Sequence, residues 1–157
     1  MGSSDWCYLV PYGPDLEQVL ATLRQRVFDE HDYYFDDDDD DREETAGDAG
    51  RWPATMAELF EKESVQYEGT HSVLDIFHVI GSGEEDAYGT LRPLTPQEQV
   101  DLFGRPRLTR QTFEGAYARR HEGPLGSFGQ RWSGHSVVLH DGEGRPTEIA
   151  IWGFSGD

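Results

Sequence analysis

Six consecutive aspartates, Asp36, Asp37, Asp38, Asp39, Asp40 and Asp41, constrain this chain more than any other feature. Adjacent carboxylates at that density repel one another and cannot be desolvated together, so the tract has no place in a core. The polar, glycine-rich stretch that follows, as far as Gly50, extends it, and residues 36–51 are expected to form a mobile acidic loop. The fold must then be assembled from what lies on either side. At 157 residues the chain is the size of one domain and can bury roughly 70% of its unfolded surface without a disulfide or a metal. Aromatic residues, at 12% of the chain, supply the large side chains such a core needs.

On the N-terminal side, Trp6–Pro11 is aromatic and β-branched and reads as a strand closed by Pro11 and Gly13. Pro14, with Asp15 and Glu17 at the positive end, starts a helix over about 14–30; Leu16, Val19, Leu20, Leu23 and Val27 mark its buried face. On the far side of the tract, Thr55 and Glu58 have capping-box spacing before Met56, Leu59 and Phe60, predicting a short helix that ends near residues 63–66. The run His71–Ile80 is rich in β-formers and is expected to be a strand, as is Tyr88–Leu94. Thr95, Pro96 and Glu98 open another helix that stops at Gly104, and Thr109 caps one running to Arg120. Residues 123–134 read as a loop. Gly134–His140 and Thr147–Phe154, joined by Asp141-Gly142-Glu143-Gly144, form a terminal hairpin. Helices and strands do not alternate regularly. The expected fold is therefore α+β, a mostly antiparallel sheet of four to five strands with about four helices packed on one face.

The net charge of −18 is unevenly placed. Residues 1–91 hold 23 acids against five bases, whereas residues 92–157 hold eight acids and eight arginines. Such a field repels nucleic acid and anionic membranes and attracts basic partners. No apolar run reaches the ~20 residues of a membrane helix, and Met1–Asp5 has no secretory-signal character. The single cysteine, Cys7, suits a reducing compartment, so a cytoplasmic location is expected; in its Trp-Cys-Tyr-Leu-Val context it reads as a small buried hydrophobe.

The aspartate tract lacks the spaced ligands of a calcium loop, and no cofactor or metal is expected. Gly81-Ser82-Gly83 has no accompanying lysine and is a turn, not a phosphate cradle. His71 and Asp75 share a face if their segment is a strand, with His78 pointing away. Arg105, Arg107, Arg110, Arg119 and Arg120 either clamp an anion or pair with the domain's own acids. Two functional readings follow. In the first, the chain is an immunity- or antitoxin-like inhibitor of a basic protein, a toxin domain or a nucleic-acid-binding protein. There the six aspartates steer the encounter, and Tyr33, Tyr34, Phe35 and Trp52 serve as aromatic anchors. A DNA mimic is a variant of it. In the second, a small metal-independent hydrolase or lyase acts on an anionic small molecule through His71, Asp75, Arg131, His135 and Glu148, provided these converge in one pocket.

Overall fold

In the computed structural model, residues 4–35 and 52–157 are described. The expected acidic loop, Asp36–Asp41 included, lies outside them. The strands are β1 (Asp5–Pro11), β2 (His78–Val79), β3 (Thr90–Pro93), β4 (Ser133–His140) and β5 (Pro146–Phe154). The helices are α1 (Leu16–Asp29), α2 (Met56–Phe60), α3 (Glu63–Glu68), α4 (Pro96–Phe103) and α5 (Arg110–Ala118). The strands form one sheet in the order β1-β5-β4-β3-β2.

The fold is α+β as expected, but the sheet is mixed. The β1–β5 and β4–β5 ladders are antiparallel, whereas β2–β3 and β3–β4 are parallel. The parallel β3–β4 step exists because α4 and α5 lie between the two strands and carry the chain back across the sheet.

The helices also cover both faces, not one. Along β5, Ile149 and Ile151 join a cluster with Leu20, Leu23 and Val27 of α1, Leu59 of α2 and Val65 of α3. The residues that alternate with them, Ala150 and Trp152, join Val137 and Leu139 of β4, Phe113 of α5 and Leu108 on the opposite face. A strand with apolar side chains on both sides has to be covered on both. The alternation was visible in the hairpin, where neither face is polar.

Local chemistry accounts for most helix boundaries. The Asp15 carboxylate accepts from the Glu17 and Gln18 N–H groups at 3.1 and 3.4 Å and caps α1. Thr55 caps α2, but Glu58 reaches back to the Ala54 N–H instead of closing the box on Thr55, and the helix breaks before α3. At α4 the box is complete, and Gly104 ends the helix in the left-handed region. The 123–134 loop contains a short 3-10 turn at Pro124–Ser127.

The expected strand over His71–Ile80 does not form. Ser72 Oγ accepts from the Leu74 N–H at 3.2 Å, and Val73–Asp75 winds into a 3-10 turn, leaving only His78–Val79 as strand. The β-forming side chains are buried all the same: Val73, Leu74 and Ile76 are fully enclosed. Side-chain bonds to the local backbone have displaced the ladder.

Trp6 fixes the register on the α1 side of the sheet. Gly134 and Gly153 face each other across β4 and β5, and the Trp6 indole lies over the gap they leave. A Cβ on Gly153 would stand 2.5 Å from Trp6 Cζ2 and would collide with the Ser133 carbonyl. Gly153→Ala should therefore lower unfolding free energy by about 1–3 kcal/mol, the cost of overpacking. Gly142→Ala, in open space, should change it by less than about 0.5 kcal/mol. Denaturant melts of the two variants decide this.

Candidate functional site: an acidic face and two buried polar clusters

The charge split seen along the sequence becomes a split between faces. Helices α1, α2 and α3 share one side of the sheet, and their exposed acids include Glu17, Asp29, Glu58, Glu61, Glu63 and Glu68. Helices α4 and α5, with the flanking arginines Arg105, Arg107, Arg119 and Arg120, cover the other. Three of the eight second-half arginines, Arg92, Arg110 and Arg145, pair with acids of their own half. Arg110 pairs with Glu114 at 2.8 Å and Glu148 at 3.2 Å, and Arg145 pairs with Asp141 and Glu143. Two ion pairs reach first-half acids, Arg120 with Asp5 and Arg92 with Asp86. Among the described residues, the acids of α1–α3 take no arginine from the opposite face.

Of the four aromatic residues expected as anchors, three pack against one another and the end of α1. Tyr33 stacks on Phe28 with centroids 5.8 Å apart, and Trp52 meets Tyr33 and Phe35 edge-on at 5.4 Å. Phe35 is buried. Tyr34 alone is well exposed, stacked on His71 at 4.8 Å. Both line a cavity of about 460 Å³ that Trp6, Cys7, His31 and Asp32 also border. Burial pushes the Cys7 thiol up to about 12, as suits a hydrophobe and not a nucleophile.

The five side chains of the enzyme reading fall in separate places. His71 and Asp75 belong to a cluster that ties the 69–75 turn to the C-terminal residues. The Asp75 carboxylate is fully buried. It accepts from Thr70 N at 2.7 Å, Thr70 Oγ1 at 2.8 Å and Ser155 Oγ at 2.7 Å. Burial raises its pKa, against the pull of those three donors. Gly69, at φ +82°, leaves the room that Oδ2 occupies. His71, itself at φ 53°, sits 3.7 Å from Asp157.

His135 belongs to a second cluster, on the α4–α5 side. The Arg92 guanidinium, within the sheet, takes Glu98 bidentately at 2.7 and 2.9 Å, Asp86 at 2.7 Å through Nε, and the Ser82 carbonyl at 3.0 Å. His135 Nε2 lies 3.0 Å from both Asp86 oxygens and so donates to them. Burial lowers the His135 pKa, with Asp86 opposing. The imidazole is 1% exposed and lines none of the cavities described here. This is an acid–imidazole pair with the imidazole enclosed and the Asp86 side chain 19% exposed. Its work is to hold the 81–89 loop and the start of α4 against β3 and β4. Glu148 sits at the far end of β5, held by Arg110, and Arg131 is exposed before β4.

Sequence reasoning missed Asp86, Arg92 and Glu98 as a unit. Glu98 was legible as a cap, but its arginine partner comes from a strand whose burial no local pattern marks. It also missed an aromatic ridge on the surface. Phe60, Phe77, Tyr88 and Trp132 come from four segments and meet in a row, with centroid separations of 5.3, 6.2 and 5.1 Å.

Among the described residues, no group of three metal-ligating side chains gathers around one point, and no helix is long and apolar enough to cross a membrane. Comparisons with protein-family models, with characterised proteins and with solved structures found no match.

The Arg92 bonds hold the Glu98 carboxyl down to about 2. A carboxylate whose folded-state pKa is depressed stabilises the fold above its ordinary range and loses that contribution as pH falls through the lowered value. Glu98→Gln should thus be less stable than the parent at neutral pH, by about 1–3 kcal/mol. The gap should close between pH 4.5 and about 2. Parallel melts across that range, parent against variant, test it.

Proposed function

We propose that this chain is a protein-binding module, an immunity- or antitoxin-like inhibitor that neutralises a basic partner such as a toxin domain or a nucleic-acid-binding protein. One observation supports the reading above the others: the surplus carboxylates of α1–α3 face outward on one side of the sheet, away from the arginines of α4 and α5. A one-signed surface accelerates encounter with an oppositely charged protein and makes association salt-sensitive. The exposed large aromatics favour it too. Tyr12, Tyr34, Tyr67, Phe77 and Tyr88 all come from the acidic part of the sequence, and aromatic side chains in a polar surround are the usual anchors of interfaces. With its one cysteine half-buried as a free thiol, the protein suits the cytoplasm. The small-molecule enzyme reading gains no comparable support, because only His71 and Asp75 share a cluster and Arg131, His135 and Glu148 lie elsewhere.

Immobilised protein incubated with a lysate of its source cells should enrich a protein of basic isoelectric point at low salt and release most of it at high salt. Enrichment of neutral or acidic proteins alone, or of nothing at either salt, would contradict the proposal.

A further inference from the structure

The ridge of Phe60, Phe77, Tyr88 and Trp132 stands beside the outer strand of the sheet. Tyr88 is 61% exposed and Phe77 37%. A lone exposed aromatic is unremarkable, but four rings delivered to one line by α2, the turn before β2, the 81–89 loop and the approach to β4 form a contiguous apolar patch.

The patch is held rigid. The Trp132 backbone sits at φ 62°, fixed by its N–H donating to Phe154 O at 3.0 Å and its carbonyl accepting from Gly89 N at 2.6 Å. The Gly89 carbonyl in turn accepts from Phe77 N at 2.8 Å and His78 N at 3.1 Å. Gly89 itself is at φ +72°, and a Cβ there would stand 2.6 Å from the Phe77 ring. Aromatic groups fixed before binding lose little entropy on contact.

Next to the ridge, a groove of about 320 Å³ runs between α1 and β2, bordered by Leu20, Ala21, Arg24, Phe77, His78 and Val79. Its lining mixes apolar side chains (Leu20, Ala21, Phe77 and Val79) with Glu17, Arg24 and His78, and the Arg24 guanidinium lies 5.4 Å over the Phe77 ring. The surroundings are negative. Glu61 follows Phe60, Glu84 and Glu85 precede Tyr88, Glu17 stands at the groove, and all four are exposed. Arg131 beside Trp132, Lys62 after Glu61 and Arg24 in the groove lining are the countercharges.

We infer that this ridge and groove are the centre of the partner-binding face, and that their occupant is a segment of a basic protein presenting one aliphatic or aromatic side chain between lysines or arginines. The inference rests on the function proposed above and moves its anchors from Tyr33, Tyr34, Phe35 and Trp52 to Phe77, Tyr88 and Trp132. The apolar side chain fills the groove against Phe77, and the flanking cations meet the glutamates on either side of the ridge.

A random peptide library displayed on phage and selected against the full chain at low salt supplies a defined probe; enriched peptides are then synthesised and titrated. The expected peptides carry lysine or arginine around one aromatic or aliphatic residue. Their affinity should fall at least about tenfold with Tyr88→Ser, as for a hot-spot residue, fall also with Glu85→Lys, and be unchanged by Tyr34→Ser. Tyr88 is the most exposed ring of the row, so its replacement leaves folding intact, as melts of the variant verify. Basic peptides that ignore Tyr88→Ser but are lost with Tyr34→Ser would overturn the ridge and leave the basic-partner reading standing. Peptides without positive charge that are lost with Tyr88→Ser would overturn the stated occupant and the proposed function with it. Failure to enrich any peptide would overturn the inference.

Discussion

The two strands at the middle of the hairpin, β4 and β5, are apolar on both faces, and the rest of the architecture follows from the need to cover both. Ile149 and Ile151 need one layer of helices and Ala150 and Trp152 need another. A single layer would leave one of these rows in water, forfeiting about 25 cal/mol for each Å² of apolar surface that could have been buried. The chain meets the requirement by dividing its helices, with α1, α2 and α3 on one side and α4 and α5 on the other. The passage of α4 and α5 across the sheet is also what makes β3 and β4 parallel.

That division has an electrostatic consequence. Because the acid-rich segments precede β3 and the arginine-rich segments follow it, assigning helices to faces by chain order also assigns charge to faces. The carboxylates of α1–α3 stand a sheet's thickness from the arginines of α4 and α5. Arg110 and Arg145 pair with Glu114, Glu148, Asp141 and Glu143 of their own half and take none of the acids of α1–α3. Arg120, paired with Asp5, and the buried Arg92 are the exceptions, and Arg92 draws Asp86 across and anchors the 81–89 loop that bears Tyr88.

Where structure follows from side chains within one turn of each other, the sequence was a good guide. The Thr95 and Thr109 caps, the Gly104 stop and the Asp141–Gly144 turn all depend on neighbours a few residues apart, and all form as read; α1, expected from about residue 14, starts after Asp15, which caps it. The reading failed where distant groups decide. His71–Ile80 has the composition of a strand, yet Asp75 is drawn into a buried cluster by Ser155, eighty residues away, and the segment turns instead. Helix coverage of one face was expected although both rows of the hairpin were apolar, a signal present in Val138 and Trp152 and underweighted. The candidate site was less legible still. Tyr33, Phe35 and Trp52, expected as anchors beside the aspartates, pack on one another and, through Tyr33, on Phe28. The ridge draws single aromatics from four segments, and no window of sequence contains more than one of its contacts.

The account turns on the claim that the two faces differ in electrostatic potential. Nuclear magnetic resonance measures this directly: amide relaxation by a cationic and by an anionic paramagnetic co-solute, taken as a ratio at each residue, reports the potential near that residue. Amides of α1, α2 and α3 should be relaxed far more by the cationic probe than by the anionic one, and those of α4 and α5 about equally by both. A ratio that is uniform over the two faces would contradict the account.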